Sequence, residues 1–129
     1  LKVDDLVRII NGRLDAVAKT AVDAIAEDAQ TPVAKGGRMR VDTGFLRNSI
    51  AASAGSMPSG PSDPRTDAQG RGEVGLAVAR WSVREPLYVG WTANYAVYRE
   101  AYDGFMEGAL QNWAKHVSSA VQEAAKAFR

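Results

Sequence analysis

The chain contains no cysteine. Disulfides and thiolate metal sites are therefore excluded, and nothing in the sequence calls for an oxidising compartment. Histidine is almost as scarce, with His116 standing alone. A metal site built on two histidines is out of reach. Any Ser-His-Asp chemistry would have to use His116, and no Gly-x-Ser-x-Gly elbow surrounds a serine. His116 is expected to be a helix histidine, either exposed or satisfied by a neighbour. No apolar run approaches the roughly 20 residues that span a bilayer. Lys2, Asp4, Asp5 and Arg8 interrupt any apolar stretch at the start, so no secretion signal is read there and folding in a cytoplasm is expected. The formal net charge is only +1, which removes any global field demanding nucleic acid or an anionic membrane.

What is present fits one globular domain, 1–129, with a single core. Charge is distributed unevenly. Residues 31–90 hold eight Lys/Arg against five acids, whereas the first thirty hold six acids and four bases. Such a split can steer one copy of a protein onto another, or can simply mark a solvated surface.

Residues 4–29 carry Leu6, Ile10, Leu14, Val17, Ala21, Ile25 and Ala29 at steps of three or four, which predicts a long amphipathic helix. Asp4 or Asp5 suits its N-cap, and Thr31-Pro32 ends it. A basic connector with Gly36-Gly37 follows over 33–41. Asp42 then suits the N-cap of a short helix, with Val41 and Leu46 at the hydrophobic-staple positions. Ser49 to Ala54 fits either more helix or a strand. In 53–72, eleven of twenty residues are Gly, Pro or Ser, so an extended loop is expected. Val74, Leu76 and Val78 alternate with small residues, and Leu87, Val89 and Trp91 alternate likewise. With Arg84-Glu85-Pro86 between them they predict an antiparallel hairpin. Asn94 suits the cap of a helical turn carrying Tyr95 and Tyr98. After Asp103-Gly104, a second stripe of Met106, Leu110, Trp113, Val117, Val121, Ala124 and Phe128 predicts a long C-terminal helix. Two one-sided helices and a small sheet make an α+β fold, with the long terminal helices packed on a small antiparallel β-sheet and a long Gly/Pro/Ser-rich loop beside it.

Chemistry-bearing constellations are few. Glu100, Asp103 and Glu107 lie close together, but a hard cation asks for more oxygen ligands, and acids at a helix start complement the macrodipole. Gly70-x-Gly72 lacks the rest of a phosphate fingerprint. No cofactor, no metal and no catalysis are expected. Lys35, Arg38, Arg40 and Arg47 form a basic cluster, and Arg65 and Arg71 follow in the loop. Phosphates could be touched by such a patch without reading sequence. Aromatic residues do not interleave with it, so an acidic protein surface, such as the first helix of another copy, is the preferred partner. Trp81, Tyr88, Trp91, Tyr95, Tyr98 and Tyr102 crowd into 22 residues. Trp91 and Tyr95 are expected inside, and Tyr102 is the better interface candidate.

Two phrases carry a resemblance. Val41-Asp42-Thr43-Gly44-Phe45-Leu46-Arg47-Asn48-Ser49-Ile50 comes first, and Val89-Gly90-Trp91-Thr92-Ala93-Asn94-Tyr95-Ala96-Val97-Tyr98-Arg99-Glu100 comes second. In this order, between a long N-terminal helix and a C-terminal helix, they resemble the small tail-completion, or head–tail joining, proteins of tailed bacteriophages. The family is typified by gene product ten of the Hong Kong lambdoid phage. Val41, Asp42, Thr43, Gly44, Leu46, Ser49 and Ile50 match in the first phrase, and Gly90, Trp91, Tyr95, Ala96, Tyr98 and Glu100 in the second. Family members often follow that glutamate with an aromatic-Gly-Thr turn, where this chain has Ala101-Tyr102-Asp103-Gly104. The resemblance implies a structural virion protein of the neck or tail top, made in the bacterial host cytoplasm. Copies of it would form a ring, most plausibly a hexamer, between head connector and tail. Its neighbours would be connector or stopper proteins on one side and tail-terminator or tail-tube proteins on the other, with non-specific contact to DNA in the channel. A DNA-contacting module using the basic 35–47 cluster is the competing reading.

Overall fold

A computed structural model describes residues 2–60, 62–63 and 70–127. The elements run α1 (Val3–Ala29), a short 3-10 turn (Val33–Lys35), α2 (Phe45–Asn48), β1 (Ile50–Ala54), α3 (Gly70–Arg80), β2 (Leu87–Trp91), α4 (Ala96–Asp103), α5 (Phe105–Gln111) and α6 (Trp113–Ala127). The fold is α+β, with long terminal helices around a two-stranded antiparallel sheet.

The sheet joins the two phrases. Ile50 pairs with Trp91, Ala51 with Gly90 and Ala54 with Leu87. The predicted hairpin is therefore corrected. Residues 74–78 are helical, and the partner of β2 is the 50–54 segment that the sequence left open. Val74 and Val78 satisfy both periods, because positions four apart share a helix face as well as a strand face. Both are buried on α3, while Leu76 between them is 58% exposed. Residues 53–54 belong to β1 and 70–72 to α3, so the predicted 53–72 loop is shorter at both ends. Its positions 61 and 64–69, Arg65 among them, lie outside the described residues.

The chain enters β1 through α2, and the first phrase explains how. Gly44 precedes the helix at φ 85°, a left-handed conformation that costs other residues energy. It occupies the N-cap place predicted for Asp42. The Phe45 N–H instead reaches Thr43 Oγ1 at 3.3 Å. Val41 is exposed, so no staple forms. Phe45, Leu46, Ser49 and Ile50 are buried. Ser49 Oγ donates to Leu46 O at 2.7 Å. The Ser49 carbonyl accepts from Thr92 N and Thr92 Oγ1, extending the ladder past the strand ends.

Two apolar clusters form the core. One holds Ala29, Met39, Phe45, Leu46, Ala93, Ala96, Phe105 and Ala109. The other holds Ala26, Ile50, Val74 and Val78. Trp91 packs against both and meets Phe105 edge-on at 5.0 Å between ring centres. Met39 arrives from the basic connector, which is a tight fold-back rather than a flexible linker. Met39 N donates to Thr31 O, Val33 N to Met39 O and Gly37 N to Pro32 O, and Met39 ends fully buried.

The helical stripes are only partly buried. α6 packs along α1, with His116 beside Asp28, and Ala21 of α1 and Ala120 and Ala124 of α6 are buried. From Val3 to Leu14 no residue is buried, and Leu6, Ile10 and Leu14 of the predicted core stripe are 43%, 51% and 50% exposed. The C-terminal stripe also differs. Asn112 divides it into α5 and α6, and Met106, Leu110, Trp113 and Val121 are exposed, while Phe105, Ala109, Ala120 and Ala124 are the buried set. Phe128 lies outside the described residues. The predicted caps are corrected too. Lys2, not Asp4 or Asp5, precedes α1, and Tyr95, not Asn94, precedes α4. Asn94 N donates to Ser62 O.

Gly37 supplies a test. A Cβ built there would lie 1.9 Å from the Thr31 carbonyl oxygen, which is backbone and cannot swing away. Gly37→Ala should destabilise the fold by about 1–3 kcal/mol, seen as a lower denaturation midpoint at unchanged slope. Gly75→Ala, in α3 with open space around the added carbon, should stabilise by about 0.5–1 kcal/mol.

Candidate functional site

The two phrases also meet outside the sheet. The 40–47 segment and the start of α4 enclose an open cavity of about 270 Å³, lined by Arg40, Asp42, Thr43, Arg47, Tyr95 and Arg99 among others. Its guanidinium groups are not equivalent. Arg47 Nε donates to Gln30 O at 3.1 Å, and Gln30 Nε2 donates back to Arg47 O, tying the end of α1 to α2. Arg99 holds Asp103 with both ends of its guanidinium, at 2.6–3.1 Å, and lies 6.0 Å from the centre of the Tyr102 ring. Among the described residues, Arg40 makes no ion pair. One arginine is thus available to an incoming carboxylate or phosphate, and two are held by the protein itself.

The structure divides the predicted basic cluster. Arg40 and Arg47 share the cavity. Arg38 crosses α5 instead, where a Cβ on Gly108 would lie 1.8 Å from its guanidinium. Lys35 is exposed at the end of the 3-10 turn. Arg71 falls in α3, but its side chain, like Arg65, lies outside the described residues. Tyr102 is 85% exposed and Tyr98 69% exposed, leaving both free to meet another surface. Of the second phrase, Ala93 and Ala96 are buried, and Tyr95 packs on Phe45 at 6.4 Å.

Glu100 has a local task. Its Oε2 accepts from Met106 N at 2.8 Å and its Oε1 from Glu107 N at 3.1 Å, so it caps α5 from the preceding helix. Glu100→Ala should cost about 1–2 kcal/mol, with Glu100→Gln losing less because one acceptor oxygen remains. Chemical denaturation of the three proteins side by side measures this.

His116 is satisfied by a tertiary partner. His116 Nε2 lies 2.8 Å from Asp28 Oδ2, and Asn112 Nδ2 donates to the same oxygen at 3.0 Å. Nothing in the spacing of these residues announced the trio, because Asp28 is 84 and 88 positions away from its partners. Burial pushes the Asp28 carboxyl up. Hydrogen bonds from His116 and Asn112, with the charges of His116 and Arg38, more than offset that and hold it below its ordinary value. A carboxylate held low in the folded state stabilises above its unfolded pKa, and that contribution is lost as pH falls through the folded value. The stability difference between the native chain and Asp28→Asn should therefore be present above the ordinary carboxylate range and close as pH drops below about 4. Denaturant titrations across that range check it.

A second concavity, about 250 Å³, is apolar. Val22, Ile25, Leu87, Val89 and Trp91 form its inner wall, with Met106, Leu110 and Trp113 at the rim. The Trp91 indole N–H is buried without a hydrogen-bond partner. None of these positions was singled out by sequence as a groove. Ile25, Leu110 and Trp113 were legible only as apolar helix residues, and Val22 lay outside the predicted stripe.

Among the described residues, no group of histidine, aspartate and glutamate is arranged to hold a metal ion, and no helix is long and apolar enough to cross a membrane. No protein-family model, curated protein or solved structure matches the chain.

Proposed function

We propose that the chain is a structural virion protein of a tailed phage or phage-like particle, acting at the neck or tail top. Copies form a ring that joins the head connector to the tail. The observation that carries this reading is the uncovered apolar face of α1. Val3, Leu6, Val7, Ile10 and Leu14 are 43–76% exposed on a helix that a solitary domain has no reason to extend so far. A second support is the order of the two phrases, whose residues meet in one sheet and line one cavity. Arg40, Tyr98 and Tyr102 are further contact candidates, in a region where aromatics and arginine commonly anchor interfaces. The partners are then other copies, the connector or stopper above and the tail-terminator or tail-tube protein below.

The chemistry is assembly. A closed ring needs two different patches per copy, each matching the other. The core holds those patches in fixed relation. A DNA-contacting module would draw on the 35–47 cluster, which the fold divides between α5, where Arg38 lies, and the cavity, where Arg40 and Arg47 lie.

Particles assembled without this gene should show filled heads and tails that fail to join in electron micrographs. Normal joined virions would reject the neck role. Steeply salt-dependent retention of the purified chain on DNA would favour the competing reading.

A further inference from the structure

We infer that the cavity between the 40–47 segment and α4 is a carboxylate-binding site, with Arg40 as its principal ligand. The cavity measures about 270 Å³, and the polar side chains that line it are mostly donors. Among the described residues, Arg40 makes no hydrogen bond or ion pair through its side chain. A guanidinium offers five N–H groups and no acceptor. Arg47 uses only its Nε, on Gln30 O, so its two terminal amino groups stay available. Arg99 uses Nε and Nη2 on Asp103, and its Nη1 stays available. Thr43 Oγ1 accepts from Phe45 N at 3.3 Å, which leaves its own proton to donate. The Tyr95 hydroxyl is unbonded among the described residues. Against these donors the lining sets one carboxylate, Asp42. A concavity with donors in such excess complements a ligand made of acceptors.

Much of the site is ordered in advance. Arg47 is held by Gln30 and Arg99 by Asp103, and the Tyr95 ring rests 6.4 Å from that of Phe45. Binding then costs little further side-chain entropy beyond the ordering of Arg40.

The charges select the kind of anion. Three guanidinium groups face two carboxylates, Asp42 in the lining and Asp103 on Arg99, which leaves a single positive excess. A carboxylate matches it with one negative charge and with a planar pair of oxygens that suits the guanidinium fork. A phosphate monoester carries nearly two negative charges near neutral pH, and the second would sit against Asp42. A phosphodiester carries one, but its chain runs on from both sides of the phosphate. A carboxylate ends its group and enters a concavity from the mouth. Its source is either a free organic acid or an acidic side chain on another protein.

The site does not depend on the proposed ring and is read out on the purified chain. Backbone amide spectra of the nitrogen-15-labelled protein, at constant ionic strength, should be followed against sodium glutamate, a blocked tetraglutamate peptide, sodium phosphate and oligothymidylate. A carboxylate probe should shift the amides of 42–47 and 95–99 saturably. Arg40→Gln should weaken that binding about tenfold or more, the loss of a charge-assisted hydrogen bond. Lys35→Gln, outside the cavity, should leave it unchanged. Free glutamate binding as tightly as the peptide would support the site and make its ligand a small acid. Tighter binding of the peptide would support it and make the ligand an acidic protein surface. No saturable shift with either carboxylate would overturn the inference, as would binding that Arg40→Gln leaves intact. Tighter binding of phosphate or oligothymidylate than of both carboxylates would also overturn it. That ranking is measured on the native chain and decides even if a variant fails to fold. Carboxylate binding by a chain whose loss leaves virions normally joined would reject the neck role and leave the site standing.

Discussion

The pairing of Ile50 with Trp91 is the constraint on which the rest of this structure depends. It brings together two segments about forty positions apart and places Trp91 where it touches both apolar clusters. One face of that indole is closed by Phe105, the first residue of α5. The sheet has only two strands, which alone in water would be marginal. It persists because α3 covers it through Val74 and Val78, and α1 through Ala26. Loss of the register by one residue would turn Ile50 outward and break both clusters together.

Around that centre the polar ties are mostly local clamps on α1. Lys19 Nζ donates to Ala79 O, and Asp15 Oδ1 accepts from Val83 N, holding the end of α3 and the turn after it. Gln30 and Arg47 exchange hydrogen bonds at the other end of α1. Asp28 binds Asn112 and His116 where α5 gives way to α6. These ties hold α1 from Asp15 onward. The contact with α6 covers the same half, and the apolar side chains nearer the N-terminus are left to solvent or to a partner. The packed half of the molecule thus leaves a bare helix tip and an apolar concavity at the surface.

The motif residues acquire definite tasks in this light. Gly44 permits the turn, Phe45 and Leu46 fill the core, Ser49 extends the ladder, and Glu100 caps the helix after its own. In the Ala101-Tyr102-Asp103-Gly104 stretch, Tyr102 lies on the surface and Asp103 pairs with Arg99.

Much of the fold was legible in the sequence. The long first helix, the strand at Leu87–Trp91, the break at Asp103-Gly104 and the α+β class follow from hydrophobic period and turn chemistry, which act over a few residues. Trp91 and Tyr95, expected inside, are half-buried against the core, Tyr102 is exposed, and a satisfied His116 was one of two open outcomes. The partner strand of β2 was not legible, because Val74 and Val78 fit a helix and a strand equally and only the competition between Ile50–Ala54 and 74–78 for one sheet edge decides. Nor was the uncovered half of α1, because an apolar stripe records that a face avoids water without recording what covers it. The division of the basic cluster, with Arg38 on α5 and Arg40 and Arg47 at the cavity, depends on how Gly37 lets the chain fold back against Thr31. Sequence thus determined α1, β2 and the break before α5, whose forces are local. Tertiary structure decided which faces meet, because that choice is set by packing between segments far apart along the chain.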